Sequence, residues 1–185
     1  MLANSSGFRV VPVTIHIPIN EVSKQLSYKL LKETILILNN SLKLDFKVKS
    51  PKIIVTGLNP HAGENSAMGS EEINIIIPVI RELTKKGLHL FGPLAADSAF
   101  TSKKRDGYDA FLCMYHDQAL IPIKTISFDD CVNITLGLSF VRTSPDHGTA
   151  LDIAGQDIAN PKSLILAIKE AKNIVESRGT NAKKN

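Results

Sequence analysis

The chain has 185 residues, 43% apolar and 22% charged, which suits one globular unit with a buried core rather than a disordered or fibrous chain. Its net charge is +4, but the lysines are scattered and gathered at the terminal "NAKKN", with no basic stripe interleaved with aromatics, so nucleic-acid binding is not expected. No apolar run is long enough to span a membrane, and "MLANSSGF" lacks the basic-then-apolar order of a signal peptide.

The first predicted element is "FRVVPVTIH" (8–16), an alternating, β-branched strand ending at His16. Leu26, Leu30, Leu31, Ile35 and Leu38 then recur at helical spacing. "PKIIVTGL" (51–58) is a short buried strand that stops at the loop "GLNPHAGENSAMGS". Ser70 is placed to cap the next helix, with Glu71 and Glu72 at its positive end and Gly87 as its stop. That helix is expected to bury Ile73, Ile76, Ile77, Ile80 and Leu83 and to kink at Pro78. "LHLFGP" (88–93), "YDAFLCMYH" (108–116), "VNITLG" (132–137) and "SFVRTS" (139–144) are further predicted strands. Asn160 and Pro161 open a last helix that runs to about Gly179, followed by an expected disordered tail, 180–185.

Strands alternate with helices, and continuous apolar strands require cover on both faces. The fold class is therefore α/β, a largely parallel sheet with helices on both faces and its chemistry beyond the strand carboxyl ends. Cys113 and Cys131 form no CxxC pair and lie in apolar surroundings, as expected for reduced thiols of a cytoplasmic protein.

Four of the five histidines, His16, His61, His116 and His147, fall in predicted strand-end loops, while His89 sits in an apolar run and reads as structural. Histidines leaving separate strands at one sheet edge suit a divalent cation with positions open to substrate oxygens. Glu64, Asp97 and Asp117 could orient imidazoles or move protons. Spacing alone leaves this reading level with that of unrelated surface histidines. Lys124, Asn133 and Arg142, near later strand ends, would make a phosphate or carboxylate clamp if they converge, and are ordinary solvated residues if they do not. The glycine-containing segment 143–161 suits a nucleotide or is a plain connection; it carries no G-x-G-x-x-G.

"IHIPI", "GLNPHAGE", "GPLAADSAF", "YDAFLCMYHDQALIPIK" and "VNITLGLSFVRTSPDHGTALDIAG" together resemble the 4-hydroxythreonine-4-phosphate dehydrogenase family of pyridoxal-phosphate biosynthesis. The resemblance runs in order from about Phe8 to the last helix and corresponds to the C-terminal half of that family, so it implies a single α/β unit truncated at its N-terminus. "HGTALDIAGQDIANP" is also similar to the adenosine loop of isocitrate and isopropylmalate dehydrogenases, whose fold the family shares. The resemblance implies His16, His61 and His116 as ligands of zinc, magnesium, cobalt or manganese. It implies Lys124, Asn133 and Arg142 as substrate contacts, and Asp97 and Asp117 as catalytic or orienting acids. His147, Gly148, Thr149, Ile153 and Asn160 would line the adenosine half of NAD or NADP.

The implied reaction is oxidation of 4-phosphooxy-L-threonine to 2-amino-3-oxo-4-phosphooxybutanoate, which loses carbon dioxide to give 3-amino-2-oxopropyl phosphate. The implied assembly is a homodimer with a shared active site. The alternatives are a dehydrogenase of another phosphorylated hydroxy acid and a non-catalytic metal-binding remnant.

Overall fold

Val11, Val13, Ile53, Val55, Leu112 and Met114 are buried on one face of a single sheet, and Val10, Ile54, Phe111 and Cys113 on the other. Period-two alternation of apolar side chains in neighbouring strands gives two buried faces, and each needs its own helical layer. The computed structural model, which describes residues 1–182, supplies both layers.

Seven strands form the sheet: β1 (Leu2–Asn4), β2 (Arg9–Pro12), β3 (Lys52–Thr56), β4 (His89–Leu94), β5 (Ala110–Cys113), β6 (Cys131–Ile134) and β7 (Thr143–Pro145). Their order is β4-β3-β5-β2-β1-β6-β7. The block β4-β3-β5-β2 is wholly parallel, β1 is antiparallel to both β2 and β6, and β7 is antiparallel to β6. Hence β2 to β6 all point the same way, and only β1 and β7 oppose them.

The helices are α1 (Val22–Gln25), α2 (Tyr28–Leu44), α3 (Ile77–Lys85), α4 (Ala96–Ala99), α5 (Ser102–Gly107), α6 (His116–Ile126) and α7 (Lys162–Ala182). Leu31, Ile35, Leu38 and Leu42 of α2 and Val79, Ile80 and Leu83 of α3 cover one face. Ala99 of α4 and Ala119 and Ile123 of α6 cover the other. Ala167 and Ile174 bring α7 against Ala3 and the β6 residues Val132 and Ile134. The Arg178 guanidinium fastens α7 to the end of α2, donating from Nε to Asp45 Oδ1 at 2.7 Å and from Nη2 to Oδ2 at 3.2 Å.

Several sequence expectations shift. The opening residues form β1 in the middle of the sheet, too short to show a periodicity. The strand predicted over 108–116 stops at Cys113, and the apolar stretch after it is α6, with Pro122 inside. The strand predicted over 139–144 is confined to Thr143–Pro145. His89 is exposed at the start of β4. A π-helical turn, Glu72–Ile76, precedes α3 and adds a residue to its first turn. The inward face rotates accordingly: Glu72, Ile76, Val79, Ile80 and Leu83 are buried, while Ile73 is exposed and Ile77 half-buried. Pro78 lies in the first turn of α3, directly after the π-helical turn that begins at Glu72, so the helical segment passes through it. Asn160 caps the last helix as expected, its Oδ1 accepting from Lys162 N at 3.0 Å. That helix runs to Ala182, and the remainder of the expected tail, 183–185, lies outside the described residues.

Candidate functional site

All five parallel strands end at one edge. His16 follows β2 and His116 opens α6 just after β5; their rings lie 5.4 Å apart between centroids. Gln118, on the same turn of α6, fixes this corner from below. Its Oε1 accepts from Thr56 Oγ1 at 2.8 Å and Met114 N at 2.7 Å, and its Nε2 donates to Gly57 O at 2.8 Å. One buried amide thus ties the ends of β3 and β5 to the helix start, and nothing in the sequence pattern marked it.

The His116 Nδ1–H donates to Asp117 Oδ1 at 2.6 Å, which leaves the Nε2 lone pair outward. His16 and His116 line a cleft of about 530 Å³ together with Asn133, Thr135, Arg142 and Asp146. Asn133 is on β6, and Arg142 immediately precedes the antiparallel β7, so strand direction places both at the histidine edge. Arg142 is exposed, and its Nη1 donates to Thr135 Oγ1 at 2.8 Å.

Lys124, in the last turn of α6, faces an adjoining hollow with His116, Asp117 and Phe128. Its ammonium is 3.1 Å from Asp146 Oδ2, an ionic contact without a well-directed hydrogen bond. Asp146 therefore stands between Lys124 and the cleft. Asp146 is not among the sequence-predicted site residues, although it stands one residue before His147.

His61 takes another position. It lies with Ala62, Glu64 and Asn65 in a loop of left-handed φ (+52° at His61), exposed beyond β3. The loop wraps the buried Glu72 carboxylate, whose Oε1 accepts from Leu58 N at 2.7 Å and Asn59 N at 2.8 Å, while Oε2 accepts from Asn59 Nδ2 at 3.0 Å. A Cβ on Gly63 would stand 2.6 Å from Glu72 Oε2, so this turn requires glycine on both steric and φ grounds (+81°). Asp97 is exposed on α4, which packs beside the His61 loop. The edge thus carries two groups, His16, His116 and Asp117 in one and His61, Glu64 and Asp97 in the other. Among the described residues no three metal-ligating side chains converge within one chain. Two imidazoles with free lone pairs suit a divalent cation as a partial ligand set, short of the three that an open site uses.

The segment after β7 forms a second cavity, of about 380 Å³. His147, Gly148, Thr149, Ile153 and Asn160 all line it, and it is also walled by the exposed ring of Phe128 and by Asp129, Asp146 and Asp157. Asp146 borders both cavities, with its backbone N donating to Ser163 Oγ at 3.0 Å and that hydroxyl donating to Cys131 O at 2.8 Å. Burial, then the carboxylates of Asp146 and Asp130, push the Cys131 thiol up to about 12, so it stays protonated. Burial also raises Cys113, and both cysteines are free.

Polar loops gathered beyond the carboxyl edge of a mostly parallel sheet, with two adjoining ligand-sized cavities, define the class: an α/β protein with room for ligands at its strand ends. The profile of the family described as Pyridoxal phosphate biosynthetic protein PdxA matches residues 1–171. A 4-hydroxythreonine-4-phosphate dehydrogenase of Roseobacter denitrificans is 57% identical over 171 residues, 92% of this chain and 52% of the relative. The crystal structure of the Klebsiella pneumoniae 4-hydroxythreonine-4-phosphate dehydrogenase superposes with a TM-score of 0.83 at 37% identity, over 94% of this chain and 52% of that one. A terephthalate 1,2-cis-dihydrodiol dehydrogenase of Burkholderia xenovorans superposes with a TM-score of 0.75 at 31% identity, over 93% and 54% respectively. The chain belongs to the PdxA family, and it spans about half the length of the relatives it matches.

Proposed function

We propose that the chain carries the metal, substrate-phosphate and adenosine contacts of a metal-dependent, NAD(P)-linked dehydrogenase. Its substrate would be 4-phosphooxy-L-threonine and its product 2-amino-3-oxo-4-phosphooxybutanoate, in pyridoxine 5′-phosphate biosynthesis. The observation that carries this reading is the convergence of His16, His116, Asn133 and Arg142 on one cleft beside the cavity of the 147–160 loop.

His16 and His116 would hold a divalent cation, with Asp117 fixing the His116 ring so that Nε2 faces it. Such a cation supplies Lewis-acid polarisation of a substrate hydroxyl. Arg142 presents two N–H groups to phosphate oxygens and Lys124 adds a point charge from the next hollow. Asn133 orients the substrate between them.

The two histidine groups on one edge support a homodimer with a shared site, in which His61 of one copy completes the His16–His116 pair of the other. Zinc titration of two variants tests this. His61→Ala and His16→Ala should each lose the site, and an equimolar mixture should recover one zinc per mixed pair. A mixture that binds no more zinc than either variant alone removes the shared site. For the substrate, Arg142→Ala should weaken binding of 4-phosphooxythreonine by about 1.5–3 kcal/mol, the range for a lost charge-assisted hydrogen bond. Metal content should be unchanged.

The terephthalate-derived name of one structural neighbour favours a second reading, a related dehydrogenase with another hydroxylated substrate. NAD reduction compared across phosphorylated and unphosphorylated hydroxy acids separates the two.

A further inference from the structure

Six successive residues, His61 to Ser66, have left-handed φ, from +41° at Glu64 to +81° at Gly63, and Gly63 is the only glycine of the six. For L-residues this conformation is costly and normally occurs singly, so a run of it persists only where its surroundings over-determine it. The loop's own backbone bonds are sparse: Ala62 N donates to Asn59 O at 3.1 Å, Ala67 N to Glu64 O at 3.1 Å and Met68 N to Gly63 O at 3.2 Å. What the run encloses is the carboxylate of Glu72, a residue only 1% exposed. A Cβ on Gly57 would stand 2.9 Å from its Oε1 and one on Gly63 2.6 Å from its Oε2, so backbone closes on this group from two sides. Its three donors, Leu58 N, Asn59 N and Asn59 Nδ2, all lie at the entrance to the loop. The same Asn59 amide donates to Glu71 Oε2 at 2.7 Å and leaves no room for a Cβ on Gly69, where the loop ends.

We infer that Glu72 is the positioning residue of His61: its buried carboxylate holds the left-handed run coiled, and the coil presents the imidazole outward at the sheet edge. The inference rests on the proposed role of His61 in a shared metal site and deepens it. A carboxylate in a dry interior is costly, and an apolar side chain would fill the same space without that cost. An apolar side chain could not accept from Leu58 N and Asn59 N, and the strained run would have nothing to coil around. Glu72 touches neither a metal nor a substrate; it acts through the loop.

The test extends the zinc titration of mixed variants, in which the His16→Ala copy donates His61 and the His61→Ala copy donates His16 and His116. Glu72→Ala is added to one copy or to the other, so both mixtures carry the same three substitutions. On the His61→Ala copy, which has no imidazole to position, it should leave the recovered zinc affinity unchanged. On the His16→Ala copy it should weaken that affinity at least about tenfold, the usual effect of losing a group behind a metal ligand. A general loss of stability would weaken both mixtures alike. Equal affinity in the two mixtures therefore overturns the inference and leaves the ligand role of His61 standing. If the mixture with Glu72 intact recovers no zinc, the shared site falls and the inference with it. Glu72→Gln, which keeps the size and one accepting oxygen, repeats the comparison where the alanine chain does not fold. The same one-sided loss, smaller in size, is expected there, and its absence overturns the inference.

Discussion

Asp117 and Gln118 are neighbours with separate duties. Asp117 is exposed and holds one nitrogen of His116, so Asp117→Ala should leave folding nearly unchanged. Zinc or cobalt affinity should drop about tenfold or more, the usual effect of losing a carboxylate behind a ligating imidazole, as read by competition with a chromophoric chelator. Unaltered affinity would mean that His116 needs no orienting partner. Gln118 is buried, and its three hydrogen bonds join β3, β5 and α6. Gln118→Leu would strand the Met114 N–H and the Gly57 carbonyl in a dry corner. At about 1–3 kcal/mol per stranded group, the variant should lose about 2–6 kcal/mol in urea unfolding. A loss under about 1 kcal/mol would show that water replaces the amide.

Glu82 on α3 accepts from Lys32 of α2 at 2.8 Å, from Lys86 at 2.5 Å and from the Tyr28 hydroxyl. Hydrogen bonds from Lys32, Lys86 and Tyr28 hold its carboxyl at about 2, against an ordinary 4.5. A carboxyl with a depressed folded-state pKa stabilises the fold above its ordinary value, and that contribution is lost as pH falls from about 4.5 towards 2. The urea midpoint of the wild type should therefore fall between pH 5 and 3 more steeply than that of Glu82→Gln; parallel curves would remove Glu82 from the acid response. The same pair of helices shows what the sequence could reveal of the elements. The α2 stripe, Leu31-Ile35-Leu38, and the apolar β3 and β5 runs were legible because burial leaves a period in the sequence. The π turn was not, because a one-residue change of helical register is decided by the buried contacts of Glu72 and leaves no mark in the apolar spacing. The start of α6 was missed because "ALIPI" is apolar throughout and contains a proline, features shared with a strand edge.

Over the whole molecule, the sheet edge that bears the histidines was readable from alternating strands and loops, since parallel strands send their carboxyl ends the same way. The separation of His61 from His16 and His116 was not, because the path of a left-handed loop depends on Glu72 and on glycines packed against it. Distances between loops are tertiary facts. An assembly of two copies should appear in light scattering at micromolar concentration, and a sharp monomer there would count against the shared site.

The position of β1 bears on how the sheet comes together and apart. Among the described residues, a strand of three residues is the only strand that bridges the parallel block and the β6-β7 pair, with the Arg178–Asp45 contact as a further tie through α7. Residues near the start of the chain thus wait for partners more than a hundred positions away, such as Leu2 for Asn133. Pairing over such a separation also joins β2 to β5 (Val10 to Phe111), but β1 offers only three residues to hold it, so this seam should be late to form. It should equally be the first to open: β6 amides should exchange with deuterium well before those of β3 and β5, at conditions far from global unfolding. Arg178→Ala should widen that gap. Since Asn133 and Arg142 lie on the far side of the seam, its opening would detach the proposed substrate clamp while the histidine corner stayed folded.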